Sequence, residues 1–168
     1  MKTYEVEVRD NGDKHWYLDG KRHREDGPAI EYVDGSKFWC RNGKLHREDG
    51  PAVERVNGSK CWYLNGKHHR VDGPAVEYAT GTKCWCRNGE YHREDGPAIE
   101  YPNGTKRWYL NDKLHREDGP AVEWLDGTKF WYIDDKQLTE AEFNNRNRTC
   151  NGKIVTIDGK QYKLQEVK

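Results

Sequence analysis

Hydrophobic and polar positions repeat along this chain with a fixed period of 23 residues. The second unit reads DGSKFWCRNGKLHREDGPAVERV, from Asp34 to Val56, and carries one tryptophan, at its sixth position. The equivalent tryptophans are Trp16, Trp39, Trp62, Trp85, Trp108 and Trp131, with no insertion between units. Such a period is typical of repeat proteins, in which each unit packs mainly on its neighbours.

Two turn signals bracket a short run in every unit. In the second unit they are Asp34-Gly35 and Asn42-Gly43, on either side of SKFWCR. Asp-Gly or Asn-Gly between alternating segments is a strong signal for a β-hairpin. The next strand runs through DGPAVERV, where a proline suits a strand start, an edge or a bulge because it cannot donate to a ladder. We therefore predict an all-β fold, an elongated antiparallel β-meander built of 23-residue β-hairpin repeats.

Two-residue turns would set the register of these hairpins. Pairing across Asp34-Gly35 places Ile30 opposite Trp39, and pairing across Asn42-Gly43 places His46 opposite Trp39 from the other side. One face would then carry an aliphatic residue, a tryptophan and a histidine in each unit. We expect this tryptophan ladder to be the structural core of the array. Its histidines are His23, His46, His69, His92 and His115.

The heptad HREDGPA at residues 46–52 occurs four times in the chain and once more as HRVDGPA. We interpret it as a corner between hairpins. Arg47 and Asp49 are placed to bond side chains or backbone, Gly50 supplies a conformation that other residues resist, and Ala52 is small because the sheet passes close to it. Five copies argue against an active site, because an enzyme needs its acid, base or nucleophile at one place.

The ends of the chain depart from the repeat. YEVEV at residues 4–8 alternates like a strand, Thr139 and Glu142 have the spacing of a capping box, and Asp158-Gly159 is a further hairpin turn. The predicted parts are an N-terminal starting strand (1–10), an array of five full repeats and a partial sixth (11–138), a short capping helix (139–149) and a C-terminal β-hairpin (150–168). We expect the helix to cover the open edge of the last strand, since bare edges recruit other strands.

Composition supports a repeat array over a single compact core. Of 168 residues, 33% are hydrophobic and 35% are charged, while seven Trp and ten Tyr provide a few large rings for burial. Lys plus Arg and Asp plus Glu both total 29, so there is no nucleic-acid signal in the charge. The N-terminus has no apolar signal region, and no stretch approaches the ~18 apolar residues of a membrane span. We therefore expect a soluble, cytoplasmic protein.

Metal and disulfide chemistry conflict with the expected spacing of the units. Equivalent residues in successive hairpins should lie about 10 Å apart, two strand spacings, whereas metal ligands sit about 2 Å from the ion. Cys61 and Cys84 are equivalents and would exceed the ~7 Å Cα limit for a disulfide; only Cys150, outside the array, is free to meet a partner. Nucleophilic triads, a P-loop and a dinucleotide fingerprint are absent from the sequence. We therefore expect thiols, no metal, no cofactor and no catalytic residues.

The residues that follow the tryptophan alternate between units. Units one, three and five have Tyr-Leu there, whereas units two and four have Cys-Arg. One interpretation is packing of a large ring beside a small thiol, or duplication of a double unit. The other is a binding surface, since Tyr and Arg are enriched at interface hot spots. The candidate binding residues are Arg41, Arg87, Tyr17, Tyr63 and Tyr109.

The unit GSKFWCRNGKLHREDGPA resembles a MORN-type repeat, with a turn glycine, a central aromatic, an N-G-K-x-H segment and a glycine-centred strand. It is most similar to the HREDGPA variety associated with hypothetical proteins of bacteriophages and other large viruses. The resemblance covers residues 11–138. It implies an elongated meander used for binding, and it implies no catalytic residues.

Taken with this resemblance, the sequence favours a non-enzymatic, phage-encoded binding protein in the cytoplasm of the host bacterium. It would bind a host protein, a defence factor being one candidate, and block or redirect it. One alternative is a protein that sequesters a small nucleotide signal, with Arg41 or Arg87 and a pocket where the array meets the cap. A second is a structural or assembly scaffold that self-associates through sheet edges or the C-terminal tail. No membrane partner is expected, because zero net charge attracts anionic headgroups weakly.

Overall fold

The computed structural model describes residues 3–148 and 154–163. One antiparallel sheet of 14 strands follows the chain as a meander, and short two-stranded hairpins branch from it. The described residues contain one helix, near the C-terminal end. The predicted fold class, an elongated β-hairpin repeat with a short capping helix and a final hairpin, is confirmed.

The elements follow the repeat from end to end. In chain order the strands are β1 (Tyr4–Val8), β2 (Lys14–Leu18), β3 (Lys21–Arg22), β4 (Ile30–Glu31), β5 (Lys37–Phe38), β6 (Cys40–Arg41), β7 (Lys44–Leu45), β8 (Val53–Glu54), β9 (Lys60–Cys61), β10 (Tyr63–Leu64), β11 (Lys67–His68), β12 (Val76–Glu77), β13 (Lys83–Cys84), β14 (Cys86–Arg87), β15 (Glu90–Tyr91), β16 (Ile99–Glu100), β17 (Lys106–Arg107), β18 (Tyr109–Leu110), β19 (Lys113–Leu114), β20 (Val122–Glu123), β21 (Lys129–Ile133), β22 (Lys136–Leu138), β23 (Ile154–Ile157) and β24 (Lys160–Lys163), and the helix is α1 (Glu140–Arg148).

The large sheet takes two strands from most units. Its order is β1-β2-β4-β5-β8-β9-β12-β13-β16-β17-β20-β21-β22, with β3 paired to β2. The pairs β6-β7, β10-β11, β14-β15 and β18-β19 form two-stranded hairpins, and β23-β24 forms another near the C-terminus.

The Asp34-Gly35 turn has a three-residue loop. The Tyr32 N–H donates to the Ser36 carbonyl at 3.0 Å, and the Gly35 N–H donates to the Tyr32 carbonyl at 3.0 Å. Gly35 has φ +92°, the left-handed conformation that closes a type I turn with a G1 bulge. The Asp34 carboxylate accepts the Ser36 N–H at 2.7 Å and stabilises the same loop.

This loop shifts the register by one residue from the prediction. Ile30 pairs with Phe38, so the predicted pairing of Ile30 with Trp39 is wrong. Because neighbouring residues of a strand point to opposite faces, a shift of one residue separates the aliphatic position from the tryptophan.

The Asn42-Gly43 turn follows the prediction. Its residues have φ 52° and 80°, as a two-residue type I′ turn requires, and Cys40 pairs with Leu45. The His46 N–H donates to the Trp39 carbonyl at 3.0 Å, so the predicted position of His46 opposite Trp39 is confirmed.

Small and aliphatic side chains form the core of the array, where a tryptophan ladder was expected. The repeat alanines are fully buried at 0% exposure, and the aliphatic residues that follow them are 3–6% exposed. The six repeat tryptophans are only half-buried. The buried set is Ala29, Ala52, Ala75, Ala98, Ala121, Ile30, Val53, Val76, Ile99 and Val122, together with Cys40, Cys84 and Cys86. The register shift explains this difference, because it separates the aliphatic residues from the tryptophans, and the Trp39 N–H instead donates to the Ala52 carbonyl at 2.8 Å.

Hydrogen bonds join each unit to the next. The Ser36 hydroxyl accepts the Val56 N–H at 3.1 Å, and the Arg47 N–H donates to the Tyr63 carbonyl at 3.1 Å. The Gly66 N–H donates to the Leu45 carbonyl at 2.8 Å. The array is therefore held together by nearest-neighbour bonds, as expected for a repeat protein.

The predicted end elements are present. β1 pairs with β2, and at the other end the Thr139 hydroxyl and the Glu142 carboxylate form the capping box, with the Glu142 N–H donating to Thr139 Oγ1 at 3.2 Å. Phe143 is buried, and α1 contacts β21 and β22. Asp158-Gly159 closes the last hairpin with φ 50° and 74°. The predicted segments at 149–153 and 164–168 lie outside the described residues.

Candidate binding surface

The HRxDGP segments of units two to five stand side by side, with an open cleft between each neighbouring pair. The cleft between residues 93–97 and 115–118 has a volume of about 610 Å³ and is lined by Trp108 and Leu110. We call it the Leu110 cleft. Two others, named in the same way, are the Leu64 cleft of about 570 Å³ beside Trp62 and the Arg87 cleft of about 610 Å³ beside Trp85.

An arginine of the heptad stacks on the repeat tryptophan of each full unit. The guanidinium carbon of Arg116 lies 4.1 Å from the centroid of the Trp108 ring. The same contact measures 4.0–4.2 Å in the other four full units: Arg24 on Trp16, Arg47 on Trp39, Arg70 on Trp62 and Arg93 on Trp85. A cation over the face of an indole is attracted by the ring quadrupole, so the arginine holds the tryptophan at the cleft.

The same arginine is held by three acceptors. In unit three, Arg70 Nε donates to Asp72 at 3.0 Å, and Nη1 donates to the Pro74 carbonyl at 3.3 Å and to Glu77 at 3.2 Å. All five full units have this set of bonds. The heptad is thus repeated because its arginine fastens a tryptophan, a corner and a strand at once.

The glycine of the heptad makes room for this arginine. A Cβ on Gly50 would lie 3.0 Å from Arg47 Cζ and 3.2 Å from Nε, closer than side chains normally approach. The φ of Gly50 is not in the left-handed region, so the predicted conformational role for this glycine is wrong. The site requires a residue without a side chain at this position, because the arginine occupies the space.

The heptad histidine connects one unit to the turn of the next. His46 Nδ1 lies 3.0 Å from Asn65 Oδ1 and 3.2 Å from the Asn65 backbone nitrogen. Its Nε2 lies 3.2 Å from a carboxylate oxygen of Glu48. Both ring nitrogens therefore have partners within the array, which indicates a structural part for the repeat histidines. A further histidine, His15, is fully buried and was missed because it stands outside the heptad.

Carboxylates line the rim of the Leu110 cleft. The side chains of Glu94, Asp95, Glu117 and Asp118 are 74–84% exposed. A hydrogen bond from Arg93 lowers the pKa of Asp95, and one from Arg116 lowers the pKa of Asp118. These aspartates are therefore ionised at neutral pH.

The predicted arginines are paired within the chain, and one of them lines a cleft. Arg87 lines the cleft named after it, with Nη1 3.7 Å from Glu94. Arg41 Nη1 lies 3.3 Å from Glu48 in unit two. Both side chains are about half exposed, so they remain accessible to a partner.

The predicted tyrosines do not join the arginines in one row. Tyr109 packs against the buried cluster that contains Cys84 and Cys86, and the Tyr63 ring lies 4.1 Å from the His68 ring. Tyr17 bonds to a β1 carboxylate at the N-terminal end. Because the tyrosine and arginine positions are neighbours along a strand, they face opposite sides of the hairpin. The alternation on the tyrosine side therefore reflects packing of rings against small thiols.

Four cysteines lie within the described residues, and all four are free thiols. Burial raises the pKa of Cys84 to about 11 and the pKa of Cys86 to about 12, and the two thiols are buried in one cluster. Cys150 lies outside the described residues. In the part of the chain that the structure describes, no group of three or more His, Cys, Asp or Glu side chains is arranged to hold a metal ion.

A second kind of cavity lies where the array meets α1. It has a volume of about 410 Å³ and is lined by Phe130, Trp131 and Leu138 together with Lys129, Gln137, Thr139, Glu140 and Glu142. Leu138 occupies the position that the histidine holds in the full units. This is the place where the small-ligand alternative predicted a pocket.

The fold and the clefts define a β-hairpin repeat protein with a periodic surface. No protein-family model and no curated protein matches this chain. No helix of the described residues is long and apolar enough to cross a membrane.

Proposed function

We propose that this chain is a non-enzymatic binding protein whose row of clefts holds a segment of another protein. The observation that carries the proposal is the repetition of one open cleft, with a half-buried tryptophan and an arginine, along the array. Tryptophan and arginine are enriched at interface hot spots, and a half-buried ring has apolar surface left to bury.

The spacing of the clefts suits an extended polypeptide. Each unit contributes two strands to the large sheet, so neighbouring clefts should be roughly 10 Å apart on a spacing of about 4.8 Å per strand. An extended chain rises about 3.3 Å per residue, so about three residues would pass from one cleft to the next. A bound segment would therefore make several weak, repeated contacts, which together give useful affinity.

The resemblance to the HREDGPA repeats of bacteriophage and other viral proteins favours a partner that comes from the infected host. In this proposal the protein acts in the cytoplasm of an infected bacterium. It binds a host protein, such as a defence factor, and blocks or redirects it by occupying a surface.

Sequestration of a small molecule is the second candidate, because the cavity beside α1 has a volume of about 410 Å³. This lies within the range of ligand sites, about 300–1,000 Å³. Its lining contains Glu140 and Glu142 but only one lysine, Lys129. That charge disfavours a nucleotide phosphate and favours a neutral or cationic ligand.

The test is to express the tagged chain in a bacterial host and examine the purified protein by native mass spectrometry. A stoichiometric host protein is expected with the parent chain. It should be lost from the cleft variant Leu64→Asp/Leu110→Asp and retained by the control Val56→Asp, whose exposed residue lies outside the clefts.

Retention of the host protein by a folded cleft variant would place the interface elsewhere. A homo-oligomer without a host protein would instead support the scaffold alternative. A small adduct that is released on denaturation would support the sequestering alternative.

A further inference from the structure

The Arg87 cleft contains a cation of its own, and the Leu110 cleft lacks its equivalent. In unit four Arg87 reaches Glu94, seven positions further on, at 3.7 Å. In unit five the same two positions are held by Leu110 and Glu117. The Glu117 carboxylate lies 3.7 Å from His115 Nε2, and the Glu117 backbone carbonyl accepts a hydrogen bond from Arg146 at 3.2 Å. The fifth unit therefore has the carboxylate of this pair but an aliphatic side chain where the guanidinium would be.

The charged residues that line the two clefts differ accordingly. The Arg87 cleft has three arginines and three carboxylates, whereas the Leu110 cleft has two arginines and four carboxylates. Both arginines of the Leu110 cleft, Arg93 and Arg116, are already bonded to Asp95 and Asp118 at 2.8 Å and 2.7 Å. Its formal charge, counting two positive against four negative groups, is −2.

We infer that the Leu110 cleft binds an arginine or lysine side chain of the partner protein. The aliphatic stem would lie along Leu110 and the exposed part of Trp108, and the cationic end would pair with Glu117. Long basic side chains combine an apolar stem with a charged tip, which matches this lining. The inference rests on the proposed function, because it specifies the chemistry of the segment that the row of clefts would hold.

Unit four provides the template for this contact within the chain. Arg87 and Trp85 both line a cleft of the same volume, and Arg41 makes the same pair with Glu48 at 3.3 Å. The partner's guanidinium would take the place that Arg87 occupies one unit earlier. No rearrangement of the array is needed for such a contact.

The Leu64 cleft differs again and adds a second requirement. There Leu64 is accompanied by Val71 in place of the glutamate, so this part of the cleft is apolar, although Glu48, Asp49 and Asp72 line the rest. It lies two units from the Leu110 cleft, roughly 20 Å away, or about six extended residues. The expected segment therefore carries an apolar residue and a basic residue about six positions apart.

The experiment uses fluorescein-labelled, alanine- and serine-based nonapeptides with a leucine and an arginine six positions apart, in both orders. Fluorescence anisotropy with the full chain should show binding at least about tenfold tighter for one of them than for the same peptide with glutamate in place of arginine. The difference should shrink as salt is raised from about 20 mM to about 500 mM, because the cleft carboxylates are exposed.

Two variants test the cleft itself. Leu110→Arg introduces the side chain that unit four already has, and Glu117→Gln removes the carboxylate; each should weaken binding of the arginine peptide about tenfold. The control Val56→Ala changes an exposed residue outside the clefts and should leave that affinity unchanged. Circular dichroism confirms that each variant is folded.

Equal affinity for the arginine and glutamate peptides, or unchanged affinity in Leu110→Arg, would overturn the inference. So would the absence of any peptide binding. These results would leave the proposed function standing if the host protein is still lost from the cleft variant Leu64→Asp/Leu110→Asp. If the peptide inference fails and the host protein is also retained by the cleft variant, the row of clefts is not a binding surface.

Discussion

The guanidinium carbon of Arg70 lies 4.0 Å above the centroid of the Trp62 ring, and the same stack is repeated in every full unit. Replacing Arg70 with alanine should lower the free energy of unfolding by roughly 2 kcal/mol, because the stack and the bonds to Asp72, the Pro74 carbonyl and Glu77 are lost together. Urea denaturation measures this change. Arg41→Ala is the matched control, since Arg41 is half exposed, and should cost less than about 0.5 kcal/mol. Equal costs for the two variants would contradict the structural importance of the stack.

Gly73→Ala should be destabilising only while Arg70 is present. The new Cβ would lie 3.0 Å from Arg70 Cζ, and this guanidinium is held by three acceptors and cannot easily move. We expect a cost of about 1–2 kcal/mol in the parent and much less in an Arg70→Ala background, measured as a double-mutant cycle. The same cost in both backgrounds would indicate a backbone effect unrelated to the arginine.

The core prediction concerns the aliphatic positions. Ile99 is 6% exposed and belongs to the buried cluster with Ala75, Val76, Cys84 and Cys86. Ile99→Ala should cost about 2–5 kcal/mol of unfolding free energy, through lost burial and a cavity. Val56 is 65% exposed, so Val56→Ala should change the free energy of unfolding by less than about 0.5 kcal/mol. Similar thermal and urea midpoints for both variants would refute this assignment of the core.

Stability should fall in acid because of the heptad aspartates. The hydrogen bond from Arg70 lowers the pKa of Asp72 below its ordinary value of 3.8, and Asp26, Asp49, Asp95 and Asp118 are lowered in the same way. A carboxylate with a depressed folded-state pKa stabilises the fold above the unfolded pKa, and this contribution is lost as the pH falls through the folded value.

Urea unfolding should therefore be measured from about pH 7 to about pH 2.5. The free energy of unfolding should begin to decline near the pKa that the aspartates have in the unfolded state. Asp72→Asn should make this decline shallower, because one of the five linked groups is removed. If the free energy of unfolding falls with pH as steeply in this variant as in the parent, Asp72 does not contribute to the pH dependence.

The buried thiols should be unreactive in the folded protein. Burial raises the pKa of Cys86 to about 12, so almost no thiolate is present at neutral pH, and the thiolate is the reactive form. In a Cys150→Ser variant, iodoacetamide at pH 8 should modify Cys40, Cys84 and Cys86 only after urea is added, as read by mass spectrometry. Rapid modification of Cys86 without denaturant would show that the cluster opens easily.

Much of the fold could be predicted because its signals are local. Asn42-Gly43 permits the left-handed conformation at both positions, and Thr139 with Glu142 caps a helix through bonds within four residues. The alternation of arginine with leucine also singled out Arg41 and Arg87 as candidate binding residues, and both side chains are about half exposed. In each case the residues that decide the structure are close together in the chain.

The tertiary structure decided the register, and with it the faces of the array. Asp34-Gly35 is compatible with both a two-residue and a three-residue loop, and the three-residue loop places Ile30 opposite Phe38. The stack of Arg70 on Trp62 likewise depends on residues eight positions apart, on either side of the Asn65-Gly66 turn.

The sequence by itself thus determined the repeat, its hairpins and its caps, because residues close together in the chain set the period and the turn type. Only the tertiary structure decided that small and aliphatic residues form the core and that the tryptophans line clefts. The physical reason is that a shift of one residue in strand pairing moves every side chain to the opposite face, and burial over the whole array selects between the two registers.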